Sequence, residues 1–187
     1  CLENAVDFHL SSSTVSVNNL DGAVRFLPSE LRFARVGETA NGKAFDLVVT
    51  TTDDNYVVPP SQNGLDGPVG RLSVNKGDSV TFTFAFEQSS NGKDVELDAF
   101  YVSILDVDAL GDVSEMICSS DFQSFVLEGD DVQVLESTTT CDGLSAGAST
   151  SFLSTRDGFG CDDPSDPYRL ETVDCEACYG IDRCSNS

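Results

Sequence analysis

Four carboxylates crowd one short stretch of this chain: Asp106, Asp108, Asp112 and Glu115. From Ala99 to Val107, period-two alternation puts Phe100, Val102 and Ile104 on one face of an expected strand and carries Asp106 and Asp108 onto its rim. Two carboxylates turned the same way repel each other unless a hard cation lies between them. With Asp112 in the following turn and Glu115 beyond it, the oxygen donors that calcium needs are in sequence reach, so calcium is the expected cofactor. The stretch is not an EF-hand loop, because Leu110 stands at the fifth loop position, where an oxygen ligand belongs. The competing reading is a plain strand end capped by a turn. A second acidic knot runs from Gly158 to Pro167, Gly-Phe-Gly-Cys-Asp-Asp-Pro-Ser-Asp-Pro, and reads first as a disulfide-pinned Asx-turn loop, then as a calcium loop.

Cysteine is the other reactive type. Cys161, Cys175, Cys178 and Cys184 lie close together at the C-terminal end, and Cys175-Glu-Ala-Cys178 is the spacing of half a zinc site. No second such pair exists and the single His, His9, is far away in sequence, so disulfides are the better reading. Cys118 and Cys141 flank strand-like segments and are expected to bond to each other, which in the chain-entropy model stabilises by about 3 kcal/mol. The count of seven is odd, and the chain starts at Cys1 without Met or signal peptide. The expectation is an excerpt of a longer protein, with a lipidated N-terminal Cys as the alternative.

Catalytic patterns are missing. The sequence holds no Gly-x-Ser-x-Gly, phosphate loop or His-Glu-x-x-His, and His9 sits between Phe8 and Leu10 rather than in a polar motif. Thirty-two acids leave room for a carboxylate pair, yet no Trp and only four Tyr leave a sugar-cleaving cleft without its aromatic platforms. No catalytic residue is assigned and the chain is expected not to be an enzyme.

Charge limits the partners. Ten basic residues against 32 acidic ones give −22, with 21 acids and four bases after residue 90, which argues against nucleic acid and anionic lipid. No apolar run reaches the roughly 20 residues of a membrane helix. With 40% apolar residues and 12 Phe, the chain can still build a core.

The elements that must position these groups are short strands. Alternating β-branched and aromatic residues are broken by Gly, Asn, Asp and Pro about every ten residues, a sandwich or barrel rhythm. Strands are expected over Thr14–Val17, Val24–Leu27, Phe45–Thr51, Gly70–Val74, Ser79–Phe86, Ala99–Val107, Gln123–Leu127, Val132–Leu135 and Thr150–Leu153. Asn41-Gly42 and Asn91-Gly92 are hairpin turns, the second joining Ser79–Phe86 to a returning strand at Ala99–Val107. Asn63 to Pro68 is a loop, and Ser29–Val36 fits one helical turn or a strand.

Several pieces occur in a telling order: Val17-Asn-Asn-Leu-Asp-Gly22, Leu31-Arg-Phe-Ala-Arg-Val-Gly37, Ala44-Phe-Asp-Leu-Val-Val49 and Asp54-Asn-Tyr56. Asn63-Gly64, Thr81-Phe-Thr-Phe84, Leu105-Asp-Val-Asp108 with Glu115, and the acidic loop at 158–167 follow. Over residues 14–170 this order resembles the secreted, cell-surface β-sandwich modules repeated in large proteins of stramenopile algae and dinoflagellates. The chain departs at Asp163, where that pattern often has Asn, and in its cysteine-rich tail, which replaces a closing strand.

The resulting expectation is an all-β protein: an antiparallel, jelly-roll-like β-sandwich over 1–170 and a disulfide-tied tail over 171–187 that leads toward a further module. The resemblance implies a structural or adhesive module of an extracellular assembly, such as a flagellar surface filament or a wall layer. Its partners are copies of itself or other modules. A calcium-dependent glycan-binding module is the alternative.

Overall fold

The computed structural model describes residues 6, 8–110, 112–119, 122–127, 132–136 and 150–157. Antiparallel strands dominate, and the described residues hold two short 3-10 turns but no α-helix. No described helix is long and apolar enough to cross a membrane. These residues group into two compact units parting between Val102 and Ser103, inside the span assigned to one sandwich; the tail at 171–187 lies outside the described residues.

The first unit is built on a four-stranded sheet in the order β1-β2-β3-β6, from β1 (Thr14–Asn18), β2 (Leu31–Glu38), β3 (Ala44–Thr51) and β6 (Phe82–Gln88). Alternation sets its two faces. Leu31, Phe33, Phe45, Leu47, Val49 and Phe86 point inward into one apolar core, which Leu20, Val36, Tyr56 and Val58 complete. Phe86 packs edge-on against Phe8, Phe45 and Phe100 at 5.1–5.5 Å between ring centres, the geometry that ring quadrupoles favour. The open Ser29–Val36 question resolves as strand, because β2 must pair on both sides, with β1 and with β3.

Three expectations are corrected here. Asn63 to Pro68 is more than a loop: β4 (Gly64–Asp66) and β5 (Val69–Arg71) form a small hairpin across Gly67-Pro68. Val24–Leu27 is a turn, with the Leu27 N–H donating to the Val24 carbonyl at 3.0 Å. Ala99–Val107 is not a strand. The Asn91-Gly92 turn forms as expected, Gly92 having φ +66°, but its return leg bridges only Glu87 to Asp94 and then leaves the sheet. Val95 and Leu97 pack against the core, so their alternation is satisfied by burial without a ladder.

In the second unit, a three-stranded sheet has the order β10-β11-β9, from β10 (Val132–Glu136), β11 (Thr150–Ser154) and β9 (Met116–Ser119). A small hairpin pairs β7 (Ala109–Leu110) with β8 (Val113–Ser114). Gln123–Leu127, expected as a strand, lies outside any strand. Its Phe125, with the preceding Phe122, is instead drawn to the sheet's central strand, where both meet Phe152.

Candidate functional site

The four expected calcium ligands surround the β7–β8 hairpin. Asp106 and Asp108 precede it, Asp112 is in its turn and exposed, and Glu115 follows β8 and donates its N–H to the Asp108 carbonyl at 2.9 Å. The geometry behind the expectation changes. Residues 101–108 belong to no strand, and Asp106 has φ +61°, a left-handed backbone that breaks period-two alternation. Among the described residues no group of three or more His, Cys, Asp or Glu could hold a metal ion.

Of the disulfide candidates, Cys118 is disulfide-bonded and lies 3.6 Å from the hydroxyl of Ser151, its neighbour across β9 and β11. Cys141, Cys161, Cys175, Cys178 and Cys184 lie outside the described residues, as does the acidic loop at 158–167.

A charged centre not anticipated from the sequence occupies the outer face of the four-stranded sheet. The Arg32 guanidinium reaches three carboxylates: Nε to Glu30 at 2.7 Å, Nη1 to Asp46 at 3.1 Å and Nη2 to Glu87 at 2.7 Å. Asp46 is 5% exposed and also accepts the Arg35 N–H at 2.9 Å and the Ser89 hydroxyl. Burial pushes the Asp46 carboxyl upward, but the bonds from Ser89, Arg35 and Arg32, with the Arg32 charge, outweigh it and hold the group below its ordinary value. Hydrogen bonding to Glu30 raises Arg32 against its own desolvation, helped by Glu87 and Asp46. This arrangement ties three strands together.

Beside it, β2 carries two extra residues between Phe33 and Gly37 relative to β3, and Arg35 takes φ +58° within the bulge. A pocket of about 210 Å³ lies there, lined by His9, Ser12, Arg35, Val36, Gly37, Glu38 and Ala44. The Ser12 hydroxyl donates to the His9 backbone carbonyl at 3.1 Å.

A buried amide, Asn63, does comparable work in the loops. Asn63 Nδ2 donates to the Tyr56 hydroxyl at 2.9 Å, that hydroxyl donates to the Ser73 carbonyl at 2.9 Å, and the Ser73 N–H returns to Asn63 Oδ1 at 2.9 Å. Burial raises the Tyr56 pKa, opposed by Asn63 and reinforced by the Asp21 charge.

The second unit also exposes apolar side chains. Phe122, Phe125 and Phe152 form a three-ring cluster with centres 5.0–6.1 Å apart. Phe125 is nonetheless 46% exposed and Val126 88% exposed, with Phe122 and Leu127 partly exposed beside them. No family model, no curated protein and no solved structure matches the chain.

Proposed function

We propose that the chain is a structural or adhesive module of an extracellular assembly, docking to copies of itself or to neighbouring modules, and that it is not an enzyme. The observation that carries this is the Phe122–Leu127 surface: three rings lock one another in place, yet apolar side chains beside them stay in water. Aromatic anchors that are already rigid lose little conformational freedom on docking, which is how hot-spot residues concentrate binding energy. The buried polar groups support the same reading. Arg32, Asn63 and Tyr56 use their hydrogen bonds to hold backbone and strands rather than to face a cleft.

The disulfide at Cys118 supports an oxidising, secreted or cell-surface setting. The finer architecture, a β-sandwich body with a disulfide-tied tail, belongs to this proposal, as does assembly into a surface filament or wall layer. Electron microscopy of concentrated, oxidised protein tests it. Ordered oligomers or filaments are expected, whereas dispersed single particles at every concentration contradict the reading.

A further inference from the structure

The four-stranded sheet of the first unit is guarded at one edge and bare at the other. At the β1 edge the register shifts between Val15 and Val17, and the Asn18 side-chain amide donates to the Pro60 and Asn63 carbonyls at 2.8 and 3.0 Å. A bulge with a loop held beside it makes a strand a poor template for further pairing. The β6 edge has no such device. It pairs with β3 without a break from Phe45↔Gln88 to Thr51↔Phe82, and residues 79–86, Ser-Val-Thr-Phe-Thr-Phe-Ala-Phe, contain no charge, Pro or Gly.

Hydrogen bonding shows which backbone groups of β6 point away from the sheet. Around the Asn91-Gly92 turn, the Gln88 N–H donates to the Lys93 carbonyl at 2.7 Å and the Val95 N–H to the Phe86 carbonyl at 2.8 Å, so Phe86 and Gln88 face away from β3. Strand alternation turns the N–H and C=O of Phe82 and Phe84 the same way, and those of Thr83 and Ala85 toward β3. The return leg has left the sheet by that point, and among the described residues nothing bonds the outward groups of Phe82 and Phe84. Phe84 stands opposite the buried Val49, on the face it shares with Phe86, yet it is 57% exposed.

Unused donors and acceptors along an extended backbone select their occupant by geometry, and what fits them is another strand. We propose that the occupant is β6 of a second copy, running antiparallel about a two-fold axis at Thr83. Thr83 then lies opposite its counterpart, and Phe82 of each copy lies opposite Phe84 of the other. Each Phe82–Phe84 pair exchanges two N–H···O=C bonds, and the ladder ends at Phe86, whose carbonyl Val95 already holds. The same register sets each exposed Phe84 ring beside Phe82 of the other copy, a cross-strand aromatic pair.

Two features favour a copy of this chain over an unrelated strand. The two-fold uses every outward group of Phe82 and Phe84 and leaves none over. It is also electrostatically neutral: chains of net −22 meet where no charged residue stands between Asp78 and Glu87, and Glu87 falls opposite Ser79 rather than another acid. So small a contact does not hold two chains alone, since a stable specific interface buries roughly 1,200 Å² or more. The edge therefore pairs in copies that the Phe122–Leu127 surface has already brought together, a proposal that rests on the assembly reading and adds to it the strand that joins.

Amide hydrogen exchange read residue by residue tests this on the full oxidised chain, comparing concentrated wild type with dilute wild type and with Val126→Asp. In the associated protein the Phe82 and Phe84 amides should exchange at least about tenfold more slowly, while those of Thr83 and Ala85, which face β3, stay unchanged. Phe84→Pro removes an outward donor from each copy and none from the β3 ladder, and should weaken self-association by about tenfold with the Thr83 and Ala85 amides still protected. If wild type associates and Val126→Asp does not, but Phe82 and Phe84 exchange alike in both, the edge is overturned and the assembly reading stands. Uniform slowing across residues 82–85, or protection of Phe82 and Phe84 already in the dilute chain, also overturns the edge. Alternating protection in a Val126→Asp protein that still associates upholds the edge and removes the Phe122–Leu127 surface. A wild-type chain that never associates removes both.

Discussion

Replacing Arg32 by Met keeps most of the side chain's length and removes the charge from the centre of three carboxylates. The structure allows the cost to be bracketed. Arg32 is 19% exposed and its partners Glu30, Asp46 and Glu87 are 12%, 8% and 22% exposed at the side chain, which lies between an open surface and a sealed core. Exposed pairs contribute about 0–1 kcal/mol and breaking a buried pair costs about 3–5 kcal/mol, so about 2–3 kcal/mol is expected at pH 7. Much of that cost is the repulsion left among three anions, with Asp46 still buried. The pH dependence fixes the sign. The Asp46 carboxyl is held below its ordinary value, so its contribution is present above the ordinary aspartate range and is lost as pH falls through the lower, folded value. The variant, without the cation, has less to lose on acidification, and its deficit should shrink as pH falls toward the lowered, folded value of Asp46. Urea unfolding followed by circular dichroism at pH 7 and near pH 3 measures both. Adding Glu87→Gln to Arg32→Met should recover part of the loss. A deficit under about 0.5 kcal/mol at pH 7, or one equal at the two pH values, refutes the electrostatic account of this face.

Tyr56→Phe strands Asn63 Nδ2 and the Ser73 carbonyl inside the first unit, and the urea midpoint should fall by an amount equivalent to about 1–3 kcal/mol; an unchanged midpoint would show the ring of bonds to be dispensable. At Arg35 the left-handed backbone accepts Gly but not a β-branched residue, so Arg35→Gly should stay near wild type in thermal melts and Arg35→Val should lose about 1–2 kcal/mol. Calcium held by Asp106, Asp108, Asp112 and Glu115 would make the melting temperature fall in chelator, an effect Asp108→Asn should remove; a melt indifferent to chelator eliminates the ion. A hundredfold calcium excess over Kd would correspond to about 2.7 kcal/mol.

The first unit was legible where alternation ran between Asn-Gly turns. Phe45 to Thr51 and Thr14 to Val17 emerged as strands within a residue of their expected ends, since both pair within the sheet. The Arg32 centre was legible in principle: Arg32 and Asp46 each stand between two apolar core residues and Glu87 follows the core residue Phe86, which places all three on the outer face. What alternation could not give was which strands would be neighbours, and hence that these charges would meet. Val24–Leu27 failed for a different reason. Its period-two pattern is real, but Asn19, five residues earlier, captures the backbone groups a strand would have used. Phe100 misled similarly, because it leans onto Phe8 and Phe86 rather than onto a neighbouring strand. For the carboxylates at 106–108 the parity argument failed because the whole Ala99–Val107 stretch lies outside any strand, with Asp106 itself left-handed.

Sedimentation velocity across a concentration series, on oxidised wild type and on Val126→Asp, tests the central claim most directly. Val126 is 88% exposed, so the substitution should leave folding intact and place a charge in the middle of the proposed contact. The account predicts a wild-type sedimentation coefficient that rises with concentration and a variant that stays monomeric with an unchanged melting temperature. A wild type that sediments as one monomeric species throughout, or a variant that associates just as wild type does, would contradict it.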